Sequence, residues 1–266
     1  MFRFVKAVLL ALFLFPTLAP LFRVEGKDAM DFLFVPEAFQ DVTARRFAVA
    51  VAAGEVEVAL EAAHAAPGGI NTLGAQGETG LVLAVERLNG PMVLALLHAG
   101  ANPDGGPDRA PVALAVRARD LAIARMLLEA GANPNGRLGG EPGLYKAVMV
   151  GSQAAIDLLL EFNARVDEPN RVGSPPSFAA AASGQWTLVK YLLDHGGQVW
   201  VANQAGFTLG GFAKNSRLLP GSPNHFALTQ VIALWQSKGL PWPPPKTPMV
   251  AASARAGQWP PTETRR

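Results

Sequence analysis

The sequence contains no cysteine among its 266 residues. Disulfide bonds, a lipid-modified cysteine and thiolate metal sites are therefore excluded, and the redox compartment stays open. Charge is also scarce: charged residues make up 17% of the chain, and the formal net charge is +2. Basic residues form no run longer than two, as in the terminal Arg265 and Arg266. The sequence thus lacks the electrostatic footprint of nucleic-acid-binding proteins, and we expect no nucleic acid partner.

Catalytic motifs are missing as well. There is no G-x-S-x-G sequence, no P-loop and no G-x-G-x-x-G fingerprint. The four histidines show no metal-ligand spacing. Two of them, His98 and His195, end predicted helices, where the helix dipole favours a cation. Carboxylate pairs such as Asp167 and Glu168 are interpreted as solvated turn residues. We therefore expect a protein that is not an enzyme and that binds no metal or cofactor.

Half of the residues are hydrophobic, and many of them lie in a segment that recurs along the chain. Paired leucines precede a Gly or Asn in LLHAGANPD (96–104), LLEAGANPN (127–135), LLEFNARVD (159–167) and LLDHGGQVW (192–200). The shared positions, Gly100, Gly131, Asn163 and Gly196, are 31, 32 and 33 residues apart. We expect a left-handed residue to end an amphipathic helix at each of them. A fixed period of about 33 residues indicates repeated supersecondary units that must stack.

A second repeated segment precedes these helices. Turn residues and then a Thr or Pro start an alanine-rich helix in GETGLVLA (77–84), DRAPVALA (108–115), GEPGLYKA (140–147), GSPPSFAA (173–180) and GFTLGGFA (206–213). Together the two segments resemble the T-P-L-H-x-A and L-L-x-x-G-A-x-x-N signatures of the ankyrin repeat. The resemblance implies an all-α fold: an ankyrin-repeat solenoid of about six helix-turn-helix units with short hairpin-like fingers. The Thr-Pro-Leu-His tetrapeptide is whole in no unit, so we expect stability to rest mainly on apolar packing between units.

The amino-terminal residues form two further segments before the predicted ankyrin-repeat domain, residues 41–240. In residues 1–22, Arg3 and Lys6 precede a short apolar run, which is typical of a secretory signal peptide or an N-terminal membrane anchor. Cleavage and retention stay equally open. The alternative, an apolar capping helix on a cytoplasmic stack, is disfavoured by the prolines in this run. Residues 23–40 are interpreted as a linker and N-terminal cap.

The carboxyl-terminal part departs from the repeat. The last predicted unit contains an insertion of about ten residues between Lys214 and Asn224, and its last helix is predicted at Ala227 to Trp235. Such a loop is either functional or tolerated near a terminus. Residues 241–266 form a Pro-rich tail that we predict to be disordered.

Candidate contact residues follow from the resemblance, because ankyrin proteins generally bind partners through finger tips and the exposed ends of first helices. Trp200 is the sharpest candidate, although a role in covering the last unit explains it equally well. A solvated surface role is the alternative for each of the others. The candidate partner-binding residues are Glu78, Glu86, Arg87, Arg109, Arg117, Arg137, Glu141, Met149, Arg171, Ser174, Trp200 and Phe207.

A looser resemblance suggests the kind of partner. The apolar amino-terminal segment, the interrupted last unit and the motif KGLPWP (238–243) resemble exported bacterial ankyrin proteins that serve as immunity proteins of type VI secretion lipase effectors. This resemblance implies a periplasmic protein, monomeric when free, that binds and inhibits one protein partner, a phospholipase effector. It would be soluble after signal cleavage or tethered to the inner membrane. The alternative is a periplasmic ankyrin scaffold or chaperone that supports a partner enzyme such as a catalase. Whether the concave face or the loop near residues 214–224 makes the main contact stays open.

Overall fold

The structure is a computed structural model that describes residues 39–260. The predicted signal or anchor segment, residues 1–22, and most of the predicted linker lie outside the described residues, as do the last six residues of the chain. Thirteen α-helices, one short 3-10 helix and one two-stranded hairpin make up the described part, which is mostly helical and agrees with the predicted all-α class. No helix between residues 39 and 260 has the length and apolar character that crossing a membrane requires. The chain divides into two compact units after Pro107.

The first unit contains two helix pairs. Helices α1 (Val42–Ala53) and α2 (Val56–Ala65) form one pair, and α3 (Gly80–Glu86) and α4 (Gly90–His98) form the other, after the 3-10 helix Gly69–Asn71. Each first helix packs against the other first helix, and each second helix packs against the other second helix. The predicted start of α3 is confirmed, since its N-cap residue is a Thr whose side chain accepts from the backbone.

The second unit contains four helix pairs and one final helix. Its first helices, α5, α7, α9 and α11, pack against one another in succession, and α10 packs against α12. Leucine and isoleucine side chains on the second helices are fully buried between the layers. The helices are α5 (Pro111–Ala115), α6 (Ala122–Glu129), α7 (Gly143–Val150), α8 (Gln153–Glu161), α9 (Pro176–Ala182), α10 (Trp186–Asp194), α11 (Leu209–Asn215), α12 (Pro223–Ser237) and α13 (Thr247–Arg255).

The helix ends have the backbone conformation that the repeated segment predicts. The φ angles of Gly100, Gly131, Asn163 and Gly196 are 86°, 91°, 63° and 97°. At Gly131 an added Cβ atom would meet nothing within 4 Å. Glycine is therefore favoured here by the positive φ and not by a lack of space. Asn163 fits the same place because Asn tolerates the left-handed region better than most residues.

One hairpin-like finger lies between α6 and α7. Strand β1 (Arg137–Leu138) pairs antiparallel with β2 (Glu141–Pro142), and Arg137 is opposite Pro142. Gly139 and Gly140 connect them with φ angles of 62° and 77°. Two central residues with positive φ form the tight hairpin turn whose twist matches that of the strands. An isolated bridge from Arg109 to Leu138 extends the pairing.

The structure corrects the predicted insertion in the last helix pair. Helix α12 begins at Pro223 and not at Ala227. The reason is a cap that the sequence pattern did not reveal: Ser222 Oγ accepts the N–H of His225 at 3.2 Å, and proline is well suited to the first helical position. The connection between α11 and α12 is therefore residues 216–222, shorter than the predicted loop of Lys214 to Asn224.

The prediction of a disordered tail after residue 240 is wrong for residues 247–255, which form α13. Val250 and Ala251 of this helix are buried. A Cβ atom at Gly206 would lie 2.7 Å from the backbone nitrogen of Ala251, so the missing side chain of this glycine lets α13 approach. Burial against this site stabilises a short helix whose own sequence gives little helical signal.

Candidate functional site

The first candidate surface surrounds the finger in the second unit. Arg171 Nη2 donates to Asp108 Oδ2 at 2.6 Å, and the Gly140 N–H donates to Asp108 Oδ1 at 2.7 Å. Burial alone would raise the pKa of Asp108, but the hydrogen bonds from Gly140 and Arg171 outweigh it, and the pKa lies below its ordinary value. Asp108 is therefore an ionised acceptor that joins the start of one repeat to the finger of the next repeat and to Arg171 of the repeat after that.

Arg137 makes a second set of bonds at the same place. It donates to the carboxylate of Glu168, to Gly140 O at 3.0 Å and to Pro169 O at 2.9 Å. Arg165 Nη2 lies 2.9 Å from the other oxygen of Glu168. We call Asp108, Arg137, Glu168 and Arg171 the finger network. Since its side chains bind one another, a change at Arg137 is expected to alter stability as well as partner binding.

Asx side chains link consecutive repeats along the turns. In each case a side-chain oxygen accepts a backbone N–H from the following repeat, which is an efficient way to satisfy turn amides. Two of the acceptors are amides, and the third is a carboxylate. The pairs are Asn102 N to Asn71 Oδ1 at 2.6 Å, Arg165 N to Asn135 Oδ1 at 2.7 Å and Gln198 N to Asp167 Oδ2 at 2.7 Å.

The interpretation of Asp167 and Glu168 as solvated turn residues is wrong. Burial raises the pKa of Asp167 to about 6, and the hydrogen bond from Gln198 N–H offsets only part of this effect. Glu168 lies in the finger network. The sequence did carry a signal for Asp167, because Asp104, Asn135 and Asp167 each stand four residues after a left-handed helix end.

The second candidate surface is a groove of about 630 Å³ in the second unit. Its sides are the end of α9, helix α11 with the residues that follow it, and the first residue of α13. Pockets of this size hold ligands or several side chains. We call it the C-terminal groove, and it is lined by Ala181, Ala182, Ser183, Gly184, Phe207, Gly211, Phe212, Asn215, Ser216, Arg217, Leu218 and Thr247.

Aromatic rings form one wall of the C-terminal groove. The rings of Phe207 and Phe212 are stacked with centroids 6.0 Å apart, and Phe178 meets Phe212 edge to face at 5.3 Å. Phe178 is buried, whereas Phe207 is 47% exposed. The buried ring of Phe178 packs against Phe212, which in turn stacks on Phe207, so a supported apolar surface lines the groove.

The loop after α11 is held at both ends by the first turn of α10. Trp186 Nε1 donates to Ser216 Oγ at 3.0 Å, and Ser216 Oγ donates to Phe212 O at 3.0 Å. At the other end, Asn224 Oδ1 accepts the N–H of Thr187 at 3.0 Å. Between these anchors Leu219 is 81% exposed. The loop thus presents an apolar side chain to solvent from a fixed base.

The structure brings four of the predicted contact residues together. Arg137, Glu141, Arg109 and Arg171 all lie at or beside the hairpin. Glu141 forms an ion pair with Lys146 of α7. Most of their charge is therefore engaged within the finger, and the exposed part of this surface is smaller than the sequence implied.

The prediction of partner contact is wrong for two residues, because their side chains are buried. Glu78 is 6% exposed and accepts the N–H of Gln76 at 2.9 Å. Ser174 is 7% exposed, and its Oγ accepts from Asn203 Nδ2 at 2.9 Å. Both are polar turn residues whose side chains are buried and hydrogen-bonded within the protein, so they are not available to a partner.

The remaining predicted residues lie at the ends of first helices or near the final helix. Glu86 is exposed and Arg87 partly exposed where α3 ends. Arg117 is exposed after α5, and Met149 is 58% exposed in the last turn of α7. Phe207 is the predicted residue that lines the C-terminal groove.

Trp200 contacts the chain's own carboxyl-terminal part. Its carbonyl oxygen accepts from Trp259 Nε1 at 2.8 Å, and Lys238 Nζ lies 5.7 Å from the centroid of its ring. Of the two interpretations that the sequence left open, these contacts favour a role in covering the last repeat.

Charge distribution in the second unit is a feature that sequence reasoning missed, although it is visible in the sequence. Residues 108–194 contain nine basic and nine acidic residues. Residues 195–260 contain five basic residues and no Asp or Glu. The net charge of the whole chain hides this contrast. The excess of basic residues lies in the stretch that supplies most of the C-terminal groove lining.

Comparison with models of protein families finds no match, and comparison with curated proteins finds no significant one. Across residues 39–260, no group of three or more His, Asp and Glu side chains is placed so that it could hold a metal ion. The candidate binding surfaces among the described residues are the finger network and the C-terminal groove.

Proposed function

We propose that the chain is an ankyrin-repeat protein of about six helix-pair units. The observation that supports this best is the left-handed residue that ends the second helix of successive pairs at Gly100, Gly131, Asn163 and Gly196. After two of these turns an Asx side chain, Asn135 or Asp167, accepts a backbone N–H of the next repeat. First helices that pack on first helices also fit stacked repeats.

The proposed activity is binding of one protein partner. Its support is apolar surface at the positions where ankyrin proteins contact partners. Met149 and Val150 are exposed at the end of the first helix α7, and Phe207 is exposed before α11. Phe207 shares the C-terminal groove with Arg217, and exposed apolar side chains together with arginine are typical of interaction surfaces.

The finer proposal is a periplasmic immunity protein that binds and inhibits a toxic lipase effector. It rests on the sequence resemblance to exported ankyrin immunity proteins and on the signal-like residues 1–22. A protein that only has to cover an active site needs a contact surface and no catalytic group. A typical stable interface buries about 1,600 Å² in total, which finger tips and first-helix ends of several repeats can supply.

The experiment that tests this proposal is a pull-down of the tagged full chain from the lysate of its own organism. Phospholipase activity is measured in the recovered complex and after its dissociation. Inhibition predicts a co-purified lipase that is inactive in the complex and regains activity when released. An active enzyme in the complex, for example a catalase, or a partner without lipase activity would contradict the inhibitor proposal. Fractionation of the cells by osmotic shock tests the periplasmic location.

Matched variants test the proposed contact face. Met149→Asp places a charge at an exposed first-helix end, and we expect it to weaken the complex by about tenfold or more. Leu94→Asp is the control, because Leu94 is also exposed but lies on the second helix α4. Equal losses of affinity for the two variants would show that the first-helix face is not the contact surface.

A further inference from the structure

We propose that the C-terminal groove binds an acidic protein segment that presents a bulky apolar side chain. The inference rests on the proposed function only in taking the occupant to be a protein. It adds the chemistry of the segment that is bound and the place where it binds.

Unpaired positive charge is the first support. Six of the nine basic residues in 108–194 lie in ion pairs with carboxylates of the same unit. By contrast, Lys214, Arg217 and Lys246 are exposed and have no carboxylate partner among residues 39–260. Arg217 lines the groove, and the two lysines are sequence neighbours of the lining residues Asn215 and Thr247.

The amino end of α13 adds to this potential. Thr247 is both the first residue of that helix and part of the groove lining. Free N–H groups at a helix start carry partial positive charge. With no acidic side chain in residues 195–260, nothing in this stretch offsets it. Complementary charge on the occupant is therefore negative.

The apolar wall specifies the second part of the occupant. Phe207 and Phe212 present stacked rings, and Leu218, in the loop that Trp186 anchors, also lines the groove. Several other lining residues, such as Ala181, have small side chains, which leaves room in the groove. A large apolar side chain fits such a space and excludes water from the rings.

Polar atoms in the groove favour a peptide over a lipid chain. Asn215 Nδ2 donates to Gly211 O at 3.0 Å, while its Oδ1 accepts no hydrogen bond within the described residues. That oxygen can accept a backbone N–H of an extended segment. A fatty acyl chain offers no such donor, so the lining suits a peptide backbone better.

The test uses the purified full chain and three fluorescein-labelled peptides. The first carries Phe and Leu flanked by Asp and Glu, the second has Lys and Arg in place of the acids, and the third has Ala in place of Phe and Leu. Fluorescence anisotropy measures their binding. We expect the first peptide to bind at least about tenfold more tightly than the two others, and to lose affinity in about 0.5 M NaCl.

Variants locate the binding site. We expect Arg217→Glu and, separately, Phe207→Ala to raise the dissociation constant of the first peptide by about tenfold. Arg119→Glu is the control, because Arg119 is exposed in the same unit, lies in no ion pair among the described residues and is not part of the groove. It should leave the dissociation constant within about twofold. Thermal unfolding checks that each variant is folded, and Arg217→Glu changes only an exposed side chain.

Several results would overturn the inference. Equal binding of the three peptides would remove the claimed specificity, and equal effects of Arg217→Glu and Arg119→Glu would place the peptide elsewhere. Binding of phosphatidylglycerol vesicles that Arg217→Glu abolishes, without peptide binding, would assign the groove to a lipid surface. Because peptide binding is measured without a lipase, its failure is distinguishable from failure of the pull-down.

Discussion

Asp167 is a carboxylate that accepts a backbone N–H from the following repeat, a role that Asn71 and Asn135 fill with an amide. Asn71 and Asn135 accept the corresponding N–H through a side-chain oxygen that stays neutral. The pKa of Asp167 is raised to about 6, whereas the pKa of an aspartate in an unfolded chain is about 3.9. Between about pH 4 and 6, the folded state keeps a proton on Asp167 that the unfolded state has lost. The contribution of Asp167 to stability is therefore greatest below about pH 4, and it falls as pH rises to about 6.

We therefore predict that Asp167→Asn raises the free energy of unfolding at pH 7 by roughly 2 kcal/mol. The new amide oxygen can still accept from Gln198 N–H, and it has no charge to bury. Urea unfolding of both proteins between pH 4 and 8 measures the effect, which should disappear toward pH 4. A variant that is less stable than the parent at pH 7 would mean that nearby arginines stabilise the carboxylate.

Gly131 gives a second prediction at the scale of one residue. Its φ is 91°, and an added Cβ atom would have no neighbour within 4 Å. Gly131→Ala should cost about 1 to 2 kcal/mol, all of it from the left-handed backbone. Gly90 also has open space for a Cβ atom but begins α4 with an ordinary φ, so Gly90→Ala should cost nothing. Similar losses for both variants in chemical denaturation would contradict this account.

Helices α11 and α12 provide a matched pair at the scale of elements. A Cβ atom at Gly210 would lie 2.7 Å from Trp235 Cζ2, whereas one at Gly211 would lie 3.5 Å from Thr208 Oγ1. Trp235 is buried, and its Nε1 donates to Pro241 O at 3.0 Å, so the ring cannot easily move. Gly210→Ala is predicted to destabilise by about 1 to 3 kcal/mol. Gly211→Ala, in the same helix, should stabilise by about 0.5 to 1 kcal/mol.

Differential scanning calorimetry of these two variants gives opposite signs for the change in melting temperature if the helices are packed as described. Two stabilised variants would show that Trp235 has room to move away from Gly210. Two destabilised variants would show that α11 itself does not tolerate alanine. The adjacent positions share a helix, so helix propensity alone cannot produce opposite signs.

At the same scale, the helices whose sequence carries its own signal were predictable. The leucine pairs and left-handed residues such as Gly131 are local features, so their places in the fold follow from the repeat. Helix α13 was not predictable, because its stability comes from burial of Ala251 against Gly206, far away in the sequence. Ser174 was misassigned for a similar reason: its burial depends on Asn203 in the following repeat.

For the molecule as a whole, positive charge is concentrated toward the carboxyl end. The five basic residues of 195–260 are separated in sequence, and only the fold places three of them at or next to the C-terminal groove. The groove combines the end of α9 with the start of α13, which are about sixty residues apart in the sequence. A site built from such distant parts has no linear motif. The sequence therefore indicated only parts of it: Phe207 as a candidate contact residue, and the loop near residues 214–224 as a possible contact segment.

The end of a repeat array needs a cover, since the last apolar face would otherwise meet water. In the second unit this role falls to the residues after Leu240. The rings of Trp259 and Trp235 lie 6.3 Å apart, and Val250 of α13 is buried. Removal of residues 241–266 should therefore lower the free energy of unfolding by roughly 2 to 4 kcal/mol and promote aggregation. Thermal unfolding and light scattering measure both effects.

A pair of substitutions tests whether the packing of α13, and not only the length of the chain, is responsible for the stability that truncation removes. Ala251→Leu enlarges a side chain that lies against Gly206, whereas Met249→Leu changes an exposed side chain of the same helix. We expect Ala251→Leu to reproduce much of the truncation's loss, because overpacking displaces the helix, and Met249→Leu to have little effect. If truncation and Ala251→Leu both leave the melting temperature unchanged, α13 does not cover the last repeat, and the apolar surface near Trp235 is tolerated in water.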